Sequence, residues 1–172
     1  VHLGDGAPGP PDDNNGAVEM REDAATVAVT GVGSMPGTDS AEAARIVVNC
    51  GRPIRMVPLD ATHRPLVSLE DAERLLALGT PAGEAAYRFI SKRIEGYDAT
   101  QPMHRAGAAP VHDALAVCAV IDPSVITTHF IPVDVETGGE LSVGRTVCDF
   151  RFRSRRPANV HFAMDADEPK FV

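Results

Sequence analysis

The residues best suited to chemistry in this sequence are a histidine and an aspartate that stand side by side, His112 and Asp113. They precede an apolar run over 114–121 that predicts a buried helix. A carboxylate in the first turn of a helix is stabilised by the helix dipole and can cap free backbone N–H groups, which explains Asp113 structurally. The functional alternative is that Asp113 offers oxygen to a divalent cation while His112 exchanges protons with a substrate. The dipeptide alone does not choose between them.

A second candidate lies at the end of a strand predicted over 53–60, where Asp60 is followed by Thr62 and His63. Ligands of α/β proteins commonly bind at the carboxyl ends of strands. A turn stabilised by the Asp and Thr side chains explains the same residues more simply. The pattern therefore favours a turn over a binding site.

Acidic side chains also occur in an N-terminal loop rich in glycine and proline, at Asp5, Asp12 and Asp13. Carboxylates of this kind can bind Ca²⁺, which takes about six to eight oxygen ligands. Their spacing is not that of an EF-hand, and acidic loops more often are simply solvated. We therefore expect a solvated loop here.

Five arginines cluster near the C-terminal end of a chain that is otherwise acidic: Arg145, Arg151, Arg153, Arg155 and Arg156. Arginine clusters can receive phosphate or carboxylate groups. A strand edge protected by charge is the simpler alternative, and a basic surface that docks an acidic partner is a third.

Strand and helix patterns alternate along the chain and must position these candidates. Strands are predicted over 26–30, 53–60, 126–136, 145–151 and 160–165, and helices over 41–49 and 114–121, after Ser68 and from Pro81. This order predicts an α/β fold with a mainly parallel sheet, flanking helices and a C-terminal antiparallel hairpin. We expect one domain over 1–172, with a loop-rich N-terminal part over 1–38.

Composition and charge exclude some classes of function. The net charge of −8 argues against binding to nucleic acid, and no apolar run is long enough to span a membrane. The three cysteines, Cys50, Cys118 and Cys148, are widely spaced within apolar stretches. We interpret them as buried thiols of an intracellular protein in a reducing compartment.

Several short segments follow one another between residues 39 and 171 without an evident break. They are AEAARIV at 41–47, MVPLDATH at 56–63, LALGTPAG at 76–83, HD at 112–113, VDVETGGEL at 133–141, GRTV at 144–147 and PANV at 157–160. In this order they resemble the inosine-uridine preferring nucleoside hydrolases. The beginning of the chain, VH at 1–2 and TVAVTG at 26–31, is similar to that family's mobile substrate-covering loop and the strand that follows it.

The resemblance implies hydrolysis of the N-glycosidic bond of ribonucleosides to free base and ribose. It also implies a bound Ca²⁺ that holds the ribose hydroxyls and the attacking water, with an aspartate as general base. By position, His112 matches a catalytic histidine that helps protonate the leaving base, and Asp113 matches a calcium ligand. Thr30 lies near a position whose backbone carbonyl coordinates calcium, and His2 matches a substrate-binding histidine.

The sequence departs from the family pattern in the residues that hold calcium and ribose. The aspartate-rich DxDxxxDD motif and the GNxTPxAEFN segment of the family are both absent from these 172 residues. Since calcium needs several oxygen ligands, we expect its binding to this chain to be weak or absent. Three functions remain open: a hydrolase completed by residues from another chain, a catalytically inactive homologue that serves as a structural subunit, and a nucleoside-binding module. The expected partners are a ribonucleoside, and a protein partner or a second copy of the chain.

Overall fold

The computed structural model describes residues 38–172 and the dipeptide His2–Leu3, with side chains from residue 41 onward. The helices are α1 (Thr38–Val48), α2 (Leu59–Thr62), α3 (Leu69–Leu76), α4 (Pro81–Thr100), α5 (His112–Ile121) and α6 (Glu168–Phe171), with a 3-10 turn at Pro123–Val125. The strands are β1 (His2–Leu3), β2 (Ile54–Met56), β3 (Val67–Ser68), β4 (Ala108–Ala109), β5 (Ile126–Ile131), β6 (Val133–Val135), β7 (Thr146–Cys148) and β8 (Val160–Ala166). The strand predicted over 26–30 and most of the N-terminal loop lie outside the described residues.

The described strands form three small sheets, ordered β2–β8–β5, β1–β7–β6 and β3–β4. The prediction of a mainly parallel sheet is not confirmed, since β2 and β8 are the parallel pair among five pairings in this part of the chain. Parallel neighbours need a long crossover, usually a helix, and no α-helix lies between β5 and β7. These consecutive strands therefore have short connections, which favour antiparallel pairing.

The expected C-terminal hairpin is not confirmed either. The last strand, β8, lies between β2 and β5 instead of pairing with β7, the strand that precedes it. Val160, Phe162 and Ala163 of β8 are each at most 2% exposed. The central position covers both edges of β8, and these buried side chains pack into the core while His161 and Asp165 of the same strand are exposed.

Local sequence signals placed two helix starts correctly. Ser68 caps α3 through a reciprocal capping box with Asp71, whose side chain accepts from the backbone N–H of Ser68. Thr80 caps α4 by accepting from the backbone N–H of Gly83, and Pro81 takes the first helical position. The second of these helices, α4, reaches the start of α5, where Tyr97 lies 3.2 Å from His112.

Helix α5 packs against α2 through one face. Leu115, Ala116 and Ala119 of α5 are buried in a cluster that includes Ala61 of α2. The prediction of a helix buried on all sides is wrong in the described part, since the side chains of Val117 and Ile121 are 46% and 78% exposed. An apolar sequence indicates a preference for burial, but only one face of α5 packs against other residues in this part of the chain.

The cysteines differ in environment, so the prediction of three buried thiols is only partly right. Cys148 is buried, Cys118 is half-buried, and Cys50 is exposed just after α1. Burial raises the pKa of the Cys148 thiol to about 12, with a further contribution from the charge of Asp60. No helix in the described part of the chain is both long and apolar enough to cross a membrane.

Candidate functional site

Three helices meet at His112. It is the first residue of α5, Thr62 is the last residue of α2, and Tyr97 lies one turn before the end of α4. The His112 side chain is 2% exposed and that of Thr62 is 1% exposed. A buried polar side chain needs hydrogen-bond partners, and each of these helices supplies one to the cluster.

Both ring nitrogens of His112 have a partner. The Nδ1 atom lies 2.7 Å from the Thr62 hydroxyl oxygen, and the Nε2 atom lies 3.2 Å from the Tyr97 hydroxyl oxygen. The ring of His63, the residue that follows α2, lies with its centroid 5.3 Å from that of His112. We call His112, Thr62, Tyr97 and His63 the histidine pocket.

Arg93 of α4 holds two parts of this pocket in place. Its Nε donates to the backbone carbonyl of Pro110 over 2.8 Å, and its Nη2 donates to the Tyr97 hydroxyl over 3.4 Å. The guanidinium also lies over the Tyr97 ring, 5.0 Å from the centroid. The arginine therefore fixes the tyrosine and the residues that lead into α5 in one arrangement.

Burial is the main reason that the pKa of His112 is lowered to about 3, and the electrostatic contributions of Arg93 and then of His63 are the smaller ones. At neutral pH the imidazole is therefore uncharged. A neutral imidazole has one N–H donor and one nitrogen acceptor, and both are used inside the pocket.

Asp113, the next residue, has a different environment. Its side chain is exposed and forms no hydrogen bond or ion pair with the described residues. Successive residues of a helix point about 100° apart, so His112 faces inward while Asp113 faces outward.

The calcium ion that the resemblance implies does not fit the described residues by themselves. In residues 38–172, no group of three or more His, Cys, Asp or Glu side chains could hold a metal ion. Asp113 contributes a single carboxylate there, whereas calcium takes about six to eight oxygens.

Comparisons with known proteins agree on one family. Residues 39–172 match the family described as inosine-uridine preferring nucleoside hydrolase. The chain belongs to this family. It is 41% identical over 134 residues to the inosine-uridine preferring nucleoside hydrolase of Crithidia fasciculata, a match that covers 76% of this chain and 40% of that protein. The pyrimidine-specific ribonucleoside hydrolase RihA of Escherichia coli is 34% identical over 131 residues, again 76% of this chain and 42% of the relative.

A solved nucleoside hydrolase has a similar structure. The purine-preferring ribonucleoside hydrolase from Gardnerella vaginalis has a TM-score of 0.67 and 27% identity, covering 86% of this chain and 47% of that one. The chain thus spans about two fifths of the length of the curated nucleoside hydrolases it matches.

The other predicted site residues divide into those the structure describes and those it does not. Thr30 lies outside the described residues. His2 is described only as backbone, where β1 pairs it with Cys148 of β7. Asp60, Thr62 and His63 do not form a simple turn as expected, since the first two lie in the short helix α2 and His63 ends it. Of these, Thr62 and His63 reach the histidine pocket.

The arginine cluster lies outside the histidine pocket. Arg156 forms an ion pair with Asp134, which also contacts Arg45 Nε over 3.3 Å. Asp149 organises the preceding turn by accepting from the backbone N–H groups of Arg151 and Ser154, and the hydrogen bonds from Ser154 are the main reason that the pKa of Asp149 is lowered to about 2. Part of this cluster therefore stabilises a surface turn.

Sequence reasoning missed two members of the site, Tyr97 and Arg93. Both fall in α4 at helical i, i+4 spacing, where they resemble ordinary residues of an amphipathic helix. The small residues, glycines and prolines over 96–110 predict a loop, whereas α4 extends to Thr100 and includes Tyr97. The available signal was that Tyr97 is one of only two tyrosines in the sequence.

Proposed function

We propose that this chain contributes the histidine side of a nucleoside hydrolase site, in a protein that cleaves the N-glycosidic bond of ribonucleosides to base and ribose. The observation that carries the proposal is the buried and fully partnered His112 at the start of α5, within the stretch that matches the family. The two relatives described above, a nucleoside hydrolase and a ribonucleoside hydrolase, support the same reaction.

His112 is proposed as the catalytic histidine that assists departure of the base. The pocket supports this role because Thr62, Tyr97 and Arg93 hold the ring in one orientation, which removes the entropic cost of positioning it during the reaction. Asp113 is proposed to offer its carboxylate on the opposite, exposed side of the same helical turn. Thr30 and His2 remain proposals as calcium-binding and substrate-binding residues.

The 172-residue chain alone is proposed to be a poor catalyst. The described residues form no calcium site by themselves, and the sequence has no counterpart of the aspartate-rich family motif. Without a carboxylate base the attacking water is not activated. The missing groups must come from other residues or another chain for efficient turnover.

A chimeric protein, called the graft, tests whether this chain supplies the histidine side of the site while other residues supply the calcium ligands and the base. Residues 39–172 replace the matching stretch of the Crithidia fasciculata relative, which keeps its own remaining sequence. Ribose release from inosine and uridine is then measured for the graft and for the 172-residue chain at equal concentration with calcium present. We expect release by the graft and release at least about 100-fold slower by the chain alone.

Matched variants separate chemistry from folding in the graft. His112→Ala should abolish most release, whereas the exposed His104→Ala should leave it unchanged. Thermal unfolding of each variant shows whether the graft is folded. A folded graft that releases no ribose would contradict the proposal.

A second function is favoured by the uncovered face of α5. Val117 and Ile121 are exposed one and two turns after Asp113 on an otherwise apolar helix. A catalytically inactive homologue that serves as a structural subunit would bury this face against a protein partner. In that case His112→Ala would alter stability without any ribose release to lose, in the graft as well as in the chain.

A further inference from the structure

The hydrogen-bond directions within the histidine pocket depend on the hydroxyl group of Thr62. It has one hydrogen to donate, and two acceptors lie near: the Nδ1 atom of His112 at 2.7 Å and the backbone carbonyl of Leu59 at 3.5 Å. A separation of 2.7 Å is typical of a good O–H donor, whereas 3.5 Å is at the limit of any hydrogen bond. Of these two acceptors, the His112 nitrogen is therefore the one close enough for a good hydrogen bond from Thr62.

An imidazole nitrogen that accepts a hydrogen bond carries no proton. A neutral imidazole has its single N–H on the other nitrogen, here Nε2. We propose that Thr62 is a positioning residue that holds His112 as the neutral tautomer with its proton on Nε2.

The opposite end of the ring is consistent with this assignment. His112 Nε2 lies 3.2 Å from the Tyr97 hydroxyl oxygen, which is a separation typical of an N–H donor. Arg93 also donates to that oxygen over 3.4 Å, since a guanidinium can only donate. The phenol oxygen accepts both hydrogen bonds with its two lone pairs, so its own hydrogen is not used on His112.

The opposite arrangement, with the proton of His112 on Nδ1, leaves the buried Thr62 hydroxyl without a good hydrogen-bond acceptor. If Nδ1 carried the proton, Thr62 would accept from it and its own hydrogen would have only the distant Leu59 carbonyl. Thr62 is 1% exposed, so water does not replace that partner. A buried O–H without a good acceptor is unfavourable, which disfavours this arrangement.

What this hydrogen-bond arrangement implies for catalysis rests on the proposed function. A neutral histidine with its proton on Nε2 acts as a hydrogen-bond donor toward the Tyr97 hydroxyl and not as an imidazolium acid. The proposal assigns hydrogen bonds and no proton transfer.

Nitrogen NMR of the 172-residue chain tests these hydrogen-bond directions without a measurement of activity. The chain is labelled with ¹⁵N-histidine, and long-range proton–nitrogen spectra distinguish protonated from unprotonated ring nitrogens. The signals of His112 are assigned among the six histidines by their loss in His112→Asn. We expect an unprotonated Nδ1 and a protonated Nε2. A protonated Nδ1 in the unsubstituted chain overturns the proposal.

Variants show whether Thr62 is the cause. Thr62→Val should shift the Nδ1 resonance toward that of an unbonded nitrogen, and Thr62→Ser should restore it. Tyr97→Phe should leave the Nδ1 resonance near its original position, as should the control Thr100→Val, whose exposed hydroxyl bonds only to the Gly96 carbonyl. An unmoved Nδ1 resonance in Thr62→Val overturns the role of Thr62, and if that variant fails to fold, the unsubstituted chain and Thr62→Ser decide.

Activity of the graft supplies the catalytic readout. Thr62→Val should lower kcat about tenfold with little change in KM, because the misplaced ring fails in the transition state and not in substrate binding. Thr62→Ser should retain most of kcat. An inactive unsubstituted graft would contradict the proposed function alone, since the NMR result on the chain stands apart from it.

Discussion

The two neighbours at the start of α5 occupy opposite environments. His112 is buried and both of its nitrogens have partners, whereas the exposed Asp113 forms no hydrogen bond or ion pair with the described residues. The polar groups that hold His112 come from α2 and α4, which are part of the same stretch of chain. The two hydrogen-bond partners of His112 thus lie within residues 38–172, whereas Asp113 has no such partner among the described residues.

The largest effect should appear in the activity of the graft when the exposed neighbour is changed. Asp113→Ala should reduce ribose release about 100- to 1000-fold, because the proposed site places this carboxylate where it would stabilise charge that develops in the transition state. Glu70→Ala is the matched control, since Glu70 is also an exposed acid in the first turn of a helix. Equal losses in the two variants would show that the effect comes from the helix dipole and not from the site.

The folding stability of the chain should depend on His112 and hardly on Asp113. His112→Ala should lower the free energy of unfolding of the chain by about 2–4 kcal/mol, because it leaves a cavity and removes one hydrogen-bond partner from each of two buried hydroxyls. Asp113→Ala should change it by less than about 0.5 kcal/mol, as expected for an exposed side chain. Urea unfolding followed by circular dichroism measures both. A comparable loss in the two variants would mean that Asp113 has partners that the described residues do not supply.

The pH dependence of stability should also report on the buried neighbour. The pKa of His112 is about 3 in the folded chain and near 6.5 when unfolded, so the unfolded chain binds a proton that the folded chain does not. Its contribution to stability is present above pH 6.5 and is lost as the pH falls from there toward 3. His112→Gln removes this part of the slope in urea titrations at a series of pH values. An unchanged slope would show that the ring titrates normally in the folded state.

Calcium should have the smallest effect. Because the described residues form no metal site by themselves, adding calcium or a chelator to the chain should shift its Tm by less than about 1 °C. Differential scanning calorimetry makes the comparison directly. A rise of several degrees with calcium would show that the chain completes a metal site through residues that the structure does not describe.

The sequence predicted local features well and tertiary features poorly. The capping box at Ser68 and the Thr80–Pro81 helix start depend on neighbouring residues, so they were readable directly. The contacts of His112 join residues 15 and 50 positions apart, and no local pattern reports them. The placement of β8 between β2 and β5 is likewise a long-range packing result. Candidate residues were therefore found by type and family resemblance, and their partners only by the structure.

The most direct test of the account is ribose release from inosine and uridine by the graft, with and without His112→Ala. The account predicts clear release by the unsubstituted graft and a loss of about 100-fold or more when His112 is removed. Residues 39–172 would then carry a working histidine side of the site. A folded graft that releases no ribose, or one whose release does not depend on His112, would contradict the central claim.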